Sequence, residues 1–244
     1  MLAWYDAQQV DKSTNVTLEA DIVMPTENFL FDLDGDGVNE SNWGVDVANY
    51  IGTFDGNYHT VYNLTMKTTS MNAVGFIYRL DKNGIVKNLT MKDSDLVGGK
   101  VGGIVVTVTG DGVVMGCVNY SNVTAYIGAA GIVYNASTYS YVIGCTNYGD
   151  VTSESSEVGG ICAYAWYPKA IVGCANYGTV TGPEYANGIV GDINSGGSVR
   201  IEACFNGGDV ISNDTRTSGY AISCYGFNWC YCTDGSTEYG DNMK

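Results

Sequence analysis

The chain has 244 residues, and its 11 lysine and arginine residues against 26 aspartate and glutamate residues give a formal net charge of −15. Such a charge repels nucleic-acid phosphate and anionic membrane surfaces, so we expect neither nucleic-acid binding nor membrane insertion. The 33 glycines, and the 19 tyrosines against 6 phenylalanines, favour short strands joined by tight turns over long helices.

Residues 1–60 are predicted to form an N-terminal cap and the first coil of the fold, interrupted by an acidic insertion. In that insertion Asp32, Asp34 and Asp36 alternate with other residues, as in the first half of a calcium-binding loop. Counted from Asp32, the place of the bidentate Glu of such a loop is taken by Trp43, so a calcium ion would need Glu40, Asp46, water or another group as a ligand. Calcium binding and a solvated acidic loop therefore both stay open, and no other cofactor is expected.

Residues 61–235 repeat with a period of about 28 residues. The clearest column of equivalent residues is a cysteine column with spacings of 28, 29, 30 and 28 residues: Cys117, Cys145, Cys174, Cys204 and Cys232. Leu64 and Leu89 are predicted to occupy the same position in earlier units. Each unit is too short to bury its own apolar residues, so the units must stack on one another.

Three further apolar columns keep the same phase. Their members are Phe76, Ile104, Ile132, Ile161 and Ile189; Val61, Val86, Val114, Val142, Ile171 and Ile201; and Val123, Val151, Val180 and Val210. Short β-branched segments broken by glycine form strands more readily than helices. The sequence therefore predicts an all-β fold, a single-stranded right-handed parallel β-helix of about seven coils, with a tail at residues 236–244.

Asparagine recurs two residues after four of the cysteines, at Asn119, Asn147, Asn176 and Asn206. Asparagine tolerates left-handed backbone angles, so these residues are expected at a bend of each coil. Their carboxamides can also hydrogen-bond to one another along the stack. The asparagine column is therefore predicted to be a structural ladder.

The cysteine column is predicted to hold buried free thiols, because side chains stacked on adjacent parallel strands point the same way. Near the C-terminus, Cys224, Cys230 and Cys232 lie close together in sequence. A disulfide among these three remains open, as does a metal site, although no histidine accompanies them.

Two groups of aromatic residues are candidates for ligand contact: Tyr120, Tyr148 and Tyr177 after the asparagine column, and Tyr164, Trp166 and Tyr167 in a connection between strands. Exposed aromatic rings beside asparagine, serine and threonine are typical of a sugar-binding face. Stacked tyrosine rings can also stabilise the coils by packing alone. Both interpretations stay open.

A catalytic function is not expected. His59 is the only histidine, which removes mechanisms that need a histidine pair or a histidine-supported triad. The basic residues Arg79, Lys169 and Arg200 are scattered over different units, and no paired carboxylates recur in the repeat. No catalytic residue is therefore assigned.

The segments Val101-Gly-Gly-Ile104 and Val158-Gly-Gly-Ile161, with the Cys-Xaa-Asn-Tyr-Gly segments, resemble the units of bacterial GLUG-repeat surface proteins. The resemblance covers roughly residues 18–235. It implies an exported chain, secreted or on the cell surface, like the non-catalytic region of surface metalloproteases that cleave immunoglobulin A.

These observations favour a non-catalytic extracellular adhesion or binding module for a surface glycan or protein. Two alternatives remain: a passive spacer within a larger surface protein, and a β-helix carbohydrate-active enzyme. The chain is expected to be a monomer or a segment of a longer chain.

Overall fold

The computed structural model describes residues 12–25, 49–183, 186–194, 199–212, 227–228 and 231–232. Every regular element in these ranges is a β-strand, and every pairing between strands is parallel. Among these residues there is no helix of the length and hydropathy that a membrane crossing requires. The all-β prediction is confirmed.

The strands follow one another around the turns of a solenoid. The partial first turn contains β1 (Val16–Thr17), β2 (Ile22–Val23) and β3 (Asn49–Tyr50). Turn 1 contains β4 (Thr53–Asp55), β5 (Thr60–Tyr62), β6 (Thr65–Lys67), β7 (Ala73–Val74) and β8 (Ile77–Leu80). Turn 2 contains β9 (Ile85–Lys87), β10 (Thr90–Lys92), β11 (Asp95–Gly102) and β12 (Val105–Val108).

The later turns repeat this order. Turn 3 contains β13 (Val113–Met115), β14 (Val118–Asn119), β15 (Val123–Ala130) and β16 (Val133–Ala136). Turn 4 contains β17 (Tyr141–Ile143), β18 (Thr146–Asn147), β19 (Val151–Ser153), β20 (Val158–Gly159) and β21 (Cys162–Ala165). Turn 5 contains β22 (Ala170–Val172), β23 (Ala175–Asn176), β24 (Val180–Gly182), β25 (Ala186–Asn187) and β26 (Val190–Ile193). The partial C-terminal turns contain β27 (Arg200–Glu202), β28 (Phe205–Asn206), β29 (Val210–Ser212), β30 (Phe227–Asn228) and β31 (Tyr231–Cys232).

Four parallel sheets run along the solenoid. Sheets 1 and 2 have eight strands each and begin with β1 and β2; sheet 3 has nine strands from β6 to β29, and sheet 4 has six, from β3 to β26. All four sheets contribute to turns 1–5, whereas the turns at both ends are partial. The described residues thus form about five full turns instead of the seven coils predicted, because those described at the two ends supply strands to only some of the sheets.

The core is a stack of inward-facing columns. The predicted column from Phe76 to Ile189 is confirmed. The residue after each of its five members pairs with its counterpart in the next turn, from β8 to β26, and all five members are fully buried. The column Val123, Val151, Val180 and Val210 is confirmed too. Burial of these aliphatic side chains is the main source of stability, at about 25 cal/mol for each Å² of apolar surface removed from water.

Turn 1 departs from the predicted columns. Phe54, not Val61, pairs with Val86, while Val61 pairs with Met91 and so belongs to the asparagine column. Leu64 is not in the cysteine column, because the pairing of Thr65 with Asp95 sets it opposite Ser94. The cause is a longer connection between β4 and β5, in which Asn57 and Tyr58 both have positive φ (48° and 64°).

The last turn also departs from the prediction. Cys232 pairs with Asn206 in the backbone register and therefore continues the asparagine column, not the cysteine column. The spacing of 28 residues from Cys204 predicted the wrong column. The step from Asn206 to its partner Cys232 is only 26 residues, two fewer than the period of about 28.

The asparagine residues form a buried ladder inside the bend between sheets 2 and 3. The Asn119 side-chain amide donates to Asn147 Oδ1 (2.9 Å), Asn147 to Asn176 (2.8 Å) and Asn176 to Asn206 (2.8 Å). Each amide also donates to the carbonyl two residues later, as Asn147 does to Gly149 (2.7 Å). None of these asparagines has the left-handed backbone predicted for it.

The left-handed backbone lies instead at the bend between sheets 1 and 2, one residue before the cysteine column. Gly116, Gly144, Gly173 and Ala203 occupy this place with φ of 60°, 60°, 65° and 52°. Glycine suits the position because it adopts positive φ without steric cost. The cysteines that follow point inward: Cys117, Cys145, Cys174 and Cys204 are buried and free.

Candidate ligand-binding surfaces

Tyr120, Tyr148 and Tyr177, called the tyrosine ladder below, follow the asparagine ladder on the outer face of sheet 2. The buried asparagines fix their positions, because neighbouring residues in a strand point to opposite faces. The Tyr120 and Tyr148 ring centroids are 4.7 Å apart with planes at 4°, and those of Tyr148 and Tyr177 are 5.0 Å apart at 9°. Between 45% and 47% of each residue is exposed.

The stacking decides which part of each ring a ligand can reach. Both faces of Tyr148 are covered by its two neighbours. The Phe205 ring packs against Tyr177 in a tilted arrangement, with a centroid separation of 5.5 Å. Sugar stacking needs an open ring face, whereas the exposed part of Tyr148 consists of its ring edge and hydroxyl. The tyrosine ladder therefore offers a row of hydroxyl groups.

A second aromatic group lies where the chain passes from sheet 4 to sheet 1. Tyr139, Tyr164, Trp166 and Tyr167 form it and are called the edge aromatics below. The exposed fractions of Tyr139, Trp166 and Tyr167 are 54%, 49% and 47%. The Tyr139 amide donates to the Tyr167 carbonyl (3.0 Å), so these tyrosines lie in adjacent turns. Three of the four were selected from the sequence as ligand candidates, and the register that sets Tyr139 beside Tyr167 is visible only in the folded chain.

Two edge aromatics are held in an unfavourable backbone conformation. Tyr139 has φ of 63° and Tyr167 has φ of 56°, in the left-handed region where a bulky residue is costly. In turn 2 the corresponding bend carries Gly110 and Asp111, which tolerate this region better. Residues in such conformations cluster at binding sites, where function offsets the cost.

Polar groups surround the edge aromatics. Tyr164 contacts Trp166 edge to face, with centroids 6.3 Å apart and planes at 72°. The Tyr164 hydroxyl accepts a hydrogen bond from the Asn194 side-chain amide at 3.2 Å. The Lys169 ammonium lies 4.9 Å from the Tyr139 ring centroid, a cation–π contact. Aromatic surface and hydrogen-bonding groups thus occur together here.

Ionisable side chains gather at a third place, outside the main core between sheets 3 and 4. Gly128 leaves room for the Tyr134 ring, since a Cβ there would lie 2.8 Å from Tyr134 Cε2. Lys100 Nζ lies 5.6 Å from the same ring. Burial and the nearby Glu157 charge raise the pKa of the Tyr134 hydroxyl well above its usual range, and burial raises the pKa of Asp192.

His59 has a structural contact. Its Nδ1 lies 3.1 Å from Asp21 Oδ1, and the Thr60 amide donates to the same oxygen at 2.9 Å. The hydrogen bond from Thr60, followed by that from His59, lowers the pKa of Asp21. The pair links the partial first turn to turn 1.

The predicted metal positions are described only in part. Asp32, Asp34, Asp36 and Glu40 lie outside the described residues, as do Cys224 and Cys230, and only the backbone of Cys232 is described. In the part of the chain that is described, no group of three or more His, Cys, Asp or Glu side chains could hold a metal ion. Calcium binding by the Asp32 loop stays a prediction.

Comparisons with known proteins support the fold. No family model matches the chain, so membership of the GLUG-repeat proteins stays a prediction. The chain is 28% identical over 149 residues to halomucin of Haloquadratum walsbyi, a match that covers 52% of this chain but 2% of halomucin. It is similar to a crystal structure from Bacteroides ovatus, provisionally named an immunoglobulin A1 protease, with a TM-score of 0.71, 19% identity, and coverage of 94% of this chain and 74% of that one.

Proposed function

We propose that this chain is a non-catalytic binding module of an extracellular or cell-surface protein, and that it contacts a surface glycan or protein through the edge aromatics. The observation that carries the proposal is the exposure of Tyr139, Trp166 and Tyr167 on adjacent turns, two of them at positive φ. A surface location is supported by the halomucin match and by the solenoid from Bacteroides ovatus.

The chemistry of the edge aromatics suits a glycan. Tryptophan and tyrosine rings stack on the apolar face of a sugar, and a few polar groups then fix its orientation. Asn194 and the Tyr164 hydroxyl can supply such hydrogen bonds beside Trp166. A repetitive rod adds weak contacts along its length, and the row of hydroxyls on the tyrosine ladder would provide them.

A passive spacer is the second candidate function. The covered ring faces of the tyrosine ladder favour it, because rings stacked at 4.7 Å and 5.0 Å already have packing partners. Under this alternative the tyrosines stabilise the rod and bind nothing.

A glycan-array and mucin-binding screen of the full chain, with and without calcium, tests the proposal. We expect binding that falls about tenfold or more in the Trp166→Ala/Tyr167→Asn variant, which corresponds to about 1.4 kcal/mol or more. Asparagine is chosen at residue 167 because it tolerates positive φ. Calcium dependence would give the Asp32 loop a role.

Tyr58→Asn is the matched control, because Tyr58 also has positive φ (64°) and is exposed, but lies in turn 1. Binding should be unchanged in this variant. Absence of binding by the folded chain would favour the spacer, and release of a cleaved glycan product would contradict the non-catalytic assignment.

A further inference from the structure

The outer face of sheet 1 is apolar across three successive turns. In turns 3–5 the positions of β13, β17 and β22 that alternate with the inward residues carry no charged side chain: Val113, Met115, Tyr141, Ile143, Ala170 and Val172, of which Ala170 is buried. Met115 and Ile143 are the most exposed of them, at 38% and 36%. In a chain with a net charge of −15 these turns form an uncharged outward strip, and contiguous apolar patches on a protein surface are typical of binding surfaces.

Charged residues of both signs border the strip. In turns 1 and 2, Lys87 Nζ lies 3.0 Å from Asp55 Oδ2, and beyond turn 5 Arg200 lies 2.6 Å from Glu202. Lys87, Met115, Ile143, Val172 and Glu202 form one outward column. The apolar part of this column is therefore flanked by Lys87, with Asp55 beyond it in the same register, and on the other side by Glu202.

The lateral border carries a second pair of opposite charges. Asp111 precedes β13 in turn 3 and Lys169 precedes β22 in turn 5, and both are exposed. With the two end pairs this gives three acidic and three basic residues around the strip: Asp55, Asp111 and Glu202, and Lys87, Lys169 and Arg200. This border is neutral, although the chain has 26 acidic against 11 basic residues.

We propose that this face of sheet 1 binds a second copy of the chain, in an antiparallel dimer whose two-fold axis lies along β17. Such an axis sets turn 4 opposite turn 4, turn 3 opposite turn 5, and turn 2 opposite β27. Each column then lies opposite itself, so Ile143 meets the partner's Ile143 and Met115 meets the smaller Val172. A self-complementary patch of this type is what a two-fold symmetric interface requires.

Charge complementarity selects the second copy and its direction. In the antiparallel arrangement Lys87 faces Glu202, and Lys169 faces the edge that carries Asp111. A parallel arrangement would bring each charged border beside its own copy. Because the border is neutral, the two acidic chains can approach here with less repulsion than elsewhere. Sheets pack face to face in this way within β-sandwiches.

Sedimentation velocity of the full chain, from about 1 µM to about 1 mM, tests the proposal over the range in which a small interface associates. We expect a dimer whose fraction grows with concentration, and an increase of about tenfold or more in the dissociation constant for Ile143→Lys. Ile211→Lys is the matched control, because Ile211 is also an exposed strand isoleucine, at 47%, but lies on sheet 3. A wild-type chain that stays monomeric, or an Ile143→Lys variant that dimerises as well as the control, would overturn the proposal.

Cysteine cross-linking under mild oxidation tests the direction. Ile143→Cys should form a disulfide-linked dimer by itself, because the residue lies on the axis and disulfides need close Cβ atoms. Met115→Cys and Val172→Cys should cross-link when mixed but not when oxidised separately, with the wild-type chain as the blank. Efficient cross-linking of Met115→Cys alone would rule out the antiparallel arrangement.

Discussion

The tyrosine ladder and the edge aromatics consist of similar residues with similar exposure, yet they differ in how their rings are packed. The ladder rings are 45–47% exposed but have partners on their faces at 4.7 Å and 5.0 Å. Trp166 and Tyr167 are 49% and 47% exposed at a bend, where Tyr167 has a positive φ. The exposed fraction alone therefore does not show whether a ring face is open to a ligand.

The largest expected effect comes from a substitution in the asparagine ladder, which fixes the positions of the tyrosine ladder. Asn147→Ala should lower the free energy of unfolding by about 3 kcal/mol, because it leaves buried groups of Asn119 and Asn176 without partners. Urea denaturation measures the loss. Asn135→Ala is the control, since its side-chain oxygen has no hydrogen-bond partner in the described structure. Equal losses in the two variants would show that the ladder is not cooperative.

A third kind of tyrosine extends the comparison to alkaline pH. Tyr134 is 8% exposed, and its pKa is raised from the ordinary 10.0 by burial and by Glu157. The folded state therefore favours the neutral hydroxyl, so its contribution is complete below pH 10 and is lost progressively above that value. Near pH 11 the loss should be about 1 kcal/mol.

Thermal unfolding between neutral pH and pH 11 measures this slope, which should be shallower in Tyr134→Phe. If the loss of stability with rising pH is the same in Tyr134→Phe, the buried Tyr134 hydroxyl is not its cause.

Tyr148→Ala tests whether the ladder acts by packing. Loss of two stacked contacts should lower the free energy of unfolding by about 1 kcal/mol, measured by urea denaturation. Binding in the glycan and mucin screen should weaken much less than in the Trp166→Ala/Tyr167→Asn variant, because the ladder adds only weak contacts. If Tyr148→Ala abolishes binding but leaves stability unchanged, the tyrosine ladder, not the edge aromatics, is the ligand-binding surface.

Tyr167→Asn should change the free energy of unfolding in the opposite direction and by the smallest amount. Relief of the positive φ should raise the free energy of unfolding by about 0.5 kcal/mol, while binding weakens. Differential scanning calorimetry measures the gain. Tyr58→Asn is the positive control, because it relieves a similar positive φ away from the edge aromatics. A loss of stability at residue 167 would mean that the ring stabilises the bend and is not held there for a ligand.

The sequence was most informative where the turns are most regular. In turns 3–5 the predicted columns hold because Cys117, Cys145 and Cys174 follow one another without insertions at the bend. In turn 1 the extra residues around Asn57 and Tyr58 shift Val61 into another column. Spacing measures chain length, whereas register depends on how many residues each bend absorbs.

For the candidate surfaces, the sequence selected Trp166 and Tyr167 but could not rank them against the ladder. Ranking needs ring orientation, which depends on the residue stacked above and below in the next turn. The apolar strip on sheet 1 was missed for a related reason. Met115, Ile143 and Val172 look like core residues until the burial of Val114, Val142 and Ile171 shows which face they occupy.

The sequence by itself determined the fold class and the period, because a unit of about 28 residues cannot bury its apolar side chains unless copies stack. The tertiary structure decided the register at both ends, the place of the left-handed residues and the faces on which aromatic rings lie. These depend on contacts between residues in neighbouring turns, where a change of one or two residues in a bend moves the side chains of the next strand into another column.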